Sequence, residues 1–116
     1  MGDLSKNFSR VEFVCRCGDC DMIAIDAELI NVIQDVRDEF GPLHITSGNR
    51  CVAHNKKVGG AKNSRHTKSL AVDFNGDIEL KEVYTYLDGK YPNKYGIGLY
   101  NNWIHLDVDP SGRRRW

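Results

Sequence analysis

"YGIGLYNNWIHLDVDP", residues 95–110, alternates apolar and polar positions and is interrupted by Asn101-Asn102. Alternation of this kind marks strands with one buried face, and paired asparagines tolerate the positive φ of a two-residue hairpin turn. The stretch therefore predicts a β-hairpin. In its second strand Ile104, Leu106 and Val108 share one face, while Trp103, His105 and Asp107 share the other. The first face can pack on a core. The second carries an imidazole and a carboxylate, which packing does not require.

Moving upstream, "LAVDF" (70–74) reads as another strand, with Asp73 set inside an otherwise apolar run. "PLHITSG" (42–48) reads as a short strand ending at a glycine turn. Two helices are spaced between these strands. In "IDAELINVIQDVRDEFG" (25–41) Leu29, Ile33, Val36 and Phe40 recur at three- and four-residue intervals, Asp26 can cap the start and Gly41 can terminate it. "IELKEVYTYLDGK" (78–90) places Leu80, Val83, Tyr84 and Leu87 on one side. The segment from Arg50 to Lys68 is polar and glycine-bearing, too long for a tight turn and too ordered in its motifs to be a linker. The expected fold class is α+β: a small, mainly antiparallel sheet with helices packed on one face and the polar set on the other.

At 116 residues the chain has room for one domain, spanning 1–116, and one modest core. Hydrophobic residues make up 41% and charged residues 28%, with a formal net charge of zero, an ordinary globular balance that argues against a nucleic-acid partner. Arg113-Arg114-Arg115 reads as a solvated tail. No apolar stretch approaches the roughly 18 residues of a membrane span, and "MGDLSKNFSR" has no signal-peptide character. The expected location is the compartment in which the chain is made, unless it leaves by lysis or on a larger particle.

Three of the four cysteines crowd into "CRCGDC" at Cys15, Cys17 and Cys20, and the fourth is Cys51. The spacing is compatible with a tetrahedral zinc ion but is not a standard finger or ribbon pattern, and burial of reduced thiols weighs more heavily. Gly59-Gly60 is a turn device, since nothing around it fits a phosphate-binding loop. His44 carries no motif.

Taken singly, His66 reads as a loop histidine and Asp73 as a turn cap. Together, His66, Asp73 and His105 form a set of two imidazoles and one carboxylate. That set suits a catalytic zinc ion, which takes three protein ligands and keeps a fourth position open.

The surrounding residues carry more weight than the spacing. "ITSGNRCVAHNKKVGGAKNSRHTKSLAVDF" (45–74) with "YGIGLYNNWIHLDV" (95–108) resembles the zinc D-Ala-D-Ala carboxypeptidase family of cell-wall peptidases, part of the wider group uniting lysostaphin, the D-Ala-D-Ala metallopeptidases and Sonic hedgehog. The resemblance covers roughly residues 10 to 116. It implies that His66, Asp73 and His105 are the zinc ligands, that Ser64 belongs to the substrate-binding signature, and that Arg50 holds substrate near the metal. A guanidinium suits that task because its fork donates parallel hydrogen bonds to a carboxylate or carbonyl. His54 matches a position near the site that is not a ligand. The function the resemblance implies is cleavage of peptidoglycan stem peptides, by D,D-carboxypeptidase or endopeptidase action in the manner of an endolysin; the chain is expected to be a monomer made in the cytoplasm of the producing cell and reaching the cell wall by lysis or on a phage particle.

The pattern departs from the family at three places. Where several relatives carry an acid three residues before the last ligand, this chain has Asn102, and where others carry a histidine two residues before it, this chain has Trp103. Asp107 is the best local substitute for the missing catalytic acid. As a base it would leave zinc in place when changed to asparagine and abolish hydrolysis. Its alternative role is to accept a hydrogen bond that orients His105. Ser69 replaces a customary glycine and would matter if that position needs positive φ. The competing reading of the whole chain is a zinc-containing structural or wall-binding module that does not catalyse.

Overall fold

A computed structural model describes residues 4–17, 25–60 and 64–116. The described residues form an α+β fold around one five-stranded sheet. Helix α1 spans Ala27–Phe40, strand β1 His44–Ser47, helix α2 Val52–Lys57, strand β2 Ala71–Asn75, helix α3 Leu80–Lys90, and strands β3, β4 and β5 Gly96–Leu99, Ile104–Asp107 and Arg114–Arg115. Short 3-10 turns occupy Arg10–Phe13 and Arg65–Lys68. The sheet order is β1-β2-β4-β3-β5, antiparallel except for the parallel pairing of β5 with β3.

Local chemistry explains the element ends. The Asp26 carboxylate accepts from the backbone N–H groups of Glu28 and Leu29, satisfying donors that the first helical turn leaves open. Gly41, at φ 100°, ends α1 with its N–H on the Arg37 carbonyl. Leu29, Ile33 and Val36 from α1, and Val83 and Leu87 from α3, are fully buried. They meet Val72, Phe74, Ile97, Ile104 and Leu106, which all project from one face of the sheet. The helices thus cover that face and leave the other to the polar residues.

Two expectations need correction. Asn101 and Asn102 turn the β3–β4 hairpin, closed by the bond from Tyr100 N to the Trp103 carbonyl at 3.0 Å, but neither takes positive φ. Among the described non-glycine residues Ser69 and Tyr95 do so instead. The triple arginine is no solvated tail. Arg114 and Arg115 form β5, and the Arg115 guanidinium donates to the carbonyls of Tyr91 and Tyr95 and to Asp88. The polar segment from Arg50 to Lys68, too ordered for a linker, contains α2 and a 3-10 turn.

Candidate metal centre

Asp73 on β2 lies directly opposite His105 on β4, so their side chains are neighbours on the face away from the helices. His66 reaches the same point from the turn that enters β2. Ser64 caps that turn, its hydroxyl accepting from the His66 N–H at 3.2 Å. Ser69 closes it at φ 62°, ψ 24°, a left-handed conformation that a residue with a Cβ adopts at a cost. Between the Ser64 cap and the Ser69 turn the His66 ring lies inward, and the residue is 2% exposed.

The three side chains converge on one point. Asp73 Oδ1 lies 3.2 Å from His66 Nε2 and 3.0 Å from His105 Nδ1. Ligand atoms around a tetrahedral zinc ion with bonds of about 2.0 Å are about 3.3 Å apart, so the spacing already approximates a coordination shell.

The far side of each imidazole is held as well. His66 Nδ1 donates to the Gly48 carbonyl at 2.7 Å, because a carbonyl can only accept. That leaves Nε2 to face Asp73. His105 Nε2 donates to Asp107 Oδ2 at 2.8 Å, leaving Nδ1 to face Asp73. With a metal in the shared position, the nitrogen of each ring that faces Asp73 would present its lone pair there, as metal-binding histidines require; without one, that nitrogen when protonated donates to Asp73 Oδ1 instead. Two nitrogens and one carboxylate oxygen fit zinc, with room for a fourth ligand on the cavity side.

Electrostatics follow the same lines. Burial alone would push the Asp73 carboxyl up, but hydrogen bonds from His105 and His66 overcome it and hold the group at about 2. For His105, burial works against the charged form, and the bonds to Asp107 and Asp73 outweigh it, raising its value. Burial also opposes ionisation of Asp107. Bonds from His105 and Arg114 nevertheless hold it well below the usual carboxylate range.

Asp107 is fully buried and both of its oxygens are committed. Arg114 grips it with two parallel bonds, Nη1 to Oδ2 at 3.0 Å and Nη2 to Oδ1 at 2.6 Å, and Oδ1 also accepts from the Asp109 N–H. Gly96 makes room for this pair, since a Cβ there would collide with Asp107 Oδ2 and Arg114 Nη1. Gly98, opposite His105, leaves space for the Trp116 indole in the same way.

Arg50 stands on the other side of Asp73, donating through Nη2 to Asp73 Oδ2 at 3.2 Å, through Nε to Ser47 Oγ at 3.1 Å and through Nη1 to Asn55 Oδ1 at 3.2 Å. These bonds use three of its five N–H groups. A cavity of about 360 Å³ opens over the three ligand candidates, with Arg50, Ser64, Tyr100, Trp103 and Trp116 on its walls. Tyr100 stacks on Trp103 with ring centroids 4.6 Å apart and accepts from Trp116 Nε1 at 2.7 Å, so the aromatic wall is tied together.

All six residues singled out by sequence, Arg50, Ser64, His66, Asp73, His105 and Asp107, line this one cavity. Asn102 does not; it is exposed in the hairpin turn. His54 lies on α2 away from the cavity, and His44 is an exposed residue at the start of β1. Sequence reasoning placed Gly48 at a turn but missed its carbonyl as the partner of His66, and it missed Arg114 and Trp116. The one local signal was the Gly-Ile-Gly of β3, since glycine inside a strand marks a close approach. Cys15, Cys17 and Cys51 come together at a separate place, while Cys20 lies outside the described residues.

The family model described as Peptidase M15 matches residues 6–107 of the chain, a range that holds all three ligand candidates. No curated protein matches closely enough for comparison.

Proposed function

The chain belongs to the peptidase M15 family of zinc peptidases acting on peptidoglycan peptides, and on that premise we propose that it hydrolyses a peptide bond in the stem peptide at the His66–Asp73–His105 centre. The observation that carries this reading is the convergence of Asp73 and two imidazoles, each backed by an acceptor on its far side, at the floor of an open cavity. The chemistry a bound zinc ion supplies is Lewis acidity, which polarises a carbonyl and acidifies water.

The chain's own residues have separable tasks. Arg50 fixes Asp73 and offers its two remaining N–H groups to a substrate carbonyl or terminal carboxylate. Ser64 accepts from the His66 N–H, which leaves its own O–H to donate into the cavity. The Tyr100, Trp103 and Trp116 wall gives the substrate's apolar parts a surface and shields the reacting carbonyl from water. Asp107 orients His105. A general base works best with a value near the operating pH, whereas this carboxylate is buried, doubly gripped by Arg114 and held far toward the ionised form.

One observation favours the non-catalytic alternative. Among the described residues lining the cavity, Asp73 and Asp107 are the only carboxylates, and both are committed to other partners. Incubation of the zinc-loaded protein with purified peptidoglycan, followed by mass spectrometry of the muropeptides, separates the two. A peptidase releases new termini, and their masses identify the bond cut. A binding module retains zinc and releases none.

A further inference from the structure

Behind the loop that supports the candidate catalytic centre lies a second convergence of metal-binding atoms. The Sγ atoms of Cys15, Cys17 and Cys51 all lie within 4.8 Å of one another. Two come from the segment after the Arg10–Phe13 turn and the third from the residue that caps α2, so the cluster joins parts of the chain far apart in sequence. Thiolates around a tetrahedral zinc ion sit about 3.8 Å apart, from Zn–S bonds of about 2.3 Å. The sulfur atoms need only a small contraction to reach that spacing.

Backbone donors point at the sulfur atoms. The Cys51 N–H is 3.3 Å from Cys15 Sγ, and the His54 N–H is 3.4 Å from Cys51 Sγ. Backbone N–H groups aimed at sulfur are a usual means of supporting metal-bound cysteine. Packing alone accounts for Cys15, which is buried, but not for the half-buried Cys17 and Cys51 turned toward it.

We propose that Cys15, Cys17 and Cys51 form a structural thiolate site for a soft divalent cation, zinc in the cell, which fastens the N-terminal segment to the loop of residues 48–51. Binding displaces the thiol protons and needs no oxidant. Three thiolates leave one tetrahedral position for a further donor; Cys20 is no part of the proposed geometry.

The site has a consequence for the catalytic centre because both hold the same loop. Asn49 N donates to the Phe13 carbonyl at 2.8 Å, and Gly48 packs so closely on Phe13 that a Cβ would lie 2.6 Å from its Cα. The Gly48 carbonyl in turn fixes the His66 ring, and Arg50, the residue before Cys51, fixes Asp73. A metal at the cysteines would hold this loop from behind.

Cobalt(II) and zinc titration of the full chain under reducing conditions tests the proposal, because only thiolate ligands give an intense sulfur-to-cobalt charge-transfer band in the near ultraviolet. The wild-type protein should bind two equivalents and show the band. His66→Ala should bind one and keep the band, while Cys15→Ser/Cys51→Ser should bind one and lose it. Absence of the band in the wild type, or its survival in the double cysteine variant, would overturn the proposal without touching the His66 centre. Should the double variant fail to fold, thiol reactivity in His66→Ala decides: the cysteines should be protected by zinc and exposed by a chelator, and equal reactivity in both states overturns the site.

Discussion

The two faces of the sheet are built from the same strands in the same register, yet they behave as different materials. Toward the helices, Val72, Phe74, Ile97, Ile104 and Leu106 are fully buried and interchangeable in kind. Toward the cavity, the intervening positions Asp73, Gly96, Gly98, His105 and Asp107 are each tied to a particular partner. Burial of apolar area is non-directional, so the first face tolerates exchange of one hydrophobe for another. Charged groups taken from water need partners at fixed distances, so the second does not. The first face supplies stability and the second spends part of it on geometry.

The largest separation between the faces is expected from Phe74→Ala. Its ring is fully buried in the core, and its removal should lower unfolding free energy by about 3–5 kcal/mol while leaving zinc stoichiometry at the His66 centre unchanged in the folded fraction. Chemical denaturation with metal analysis checks this. Loss of zinc from protein that is still folded would show that the faces are not separable.

A residue of the opposite face, on β4, gives a smaller effect of a different kind. Asp107→Asn keeps an acceptor for His105 but puts a neutral amide against the Arg114 fork, and should weaken zinc binding by about 10–100-fold. Competition with a chromogenic chelator measures it, and hydrolysis should fall in parallel with zinc occupancy. Undiminished zinc affinity together with lost hydrolysis would restore Asp107 as the base.

Acidity provides a third contrast, confined to the polar face. Asp73 falls from 3.8 to about 2 on folding, so its contribution to stability is fully present above the ordinary carboxylate value and is lost as pH drops through about 2. His105 rises from 6.5, so its contribution is fully present below that value and is lost as pH climbs through its raised one. The metal-free protein should therefore gain most from this face between about pH 4 and pH 6.5. Saturating zinc should remove the decline on the alkaline side by taking the place of the proton. Melting curves across pH with and without zinc test this, and an unchanged alkaline limb would count against His105 as a ligand.

The smallest effect is expected at the edge of the centre. Ser69→Gly relieves the left-handed strain at φ 62° and should stabilise the protein by about 1 kcal/mol, read as a rise in denaturation midpoint. A fall would mean that the serine side chain contributes more than its backbone costs.

How much was legible in sequence follows the same division. Helix α1, with its Asp26 cap and Gly41 stop, and the alternating hairpin strands could be read because apolar periodicity is a local signal. Helix α2 could not, since Val52 and its neighbours are mostly exposed and leave no apolar stripe. The placing of His105 and Asp107 on one face followed from alternation alone. Arg114 was missed because its meaning lies in Asp107, on another strand, and a run of three arginines carries no mark of which one will be buried against a carboxylate. The hairpin turn misled for a related reason: asparagine permits positive φ without demanding it.

Strand β5 has a consequence for the order of events during synthesis. Arg114 pairs with β3 and with Asp107, and Asp107 orients His105, which faces ligands carried on residues 66 and 73. A nascent chain displays His66 and Asp73 first, then His105, and only afterwards the arginine that fixes the backing carboxylate. Contacts between distant segments form slowly because loop closure precedes their reward. Metal capture at this centre thus waits for β5, and a ribosome-bound chain that stops short of Arg114 holds the ligands without the framework that aligns them.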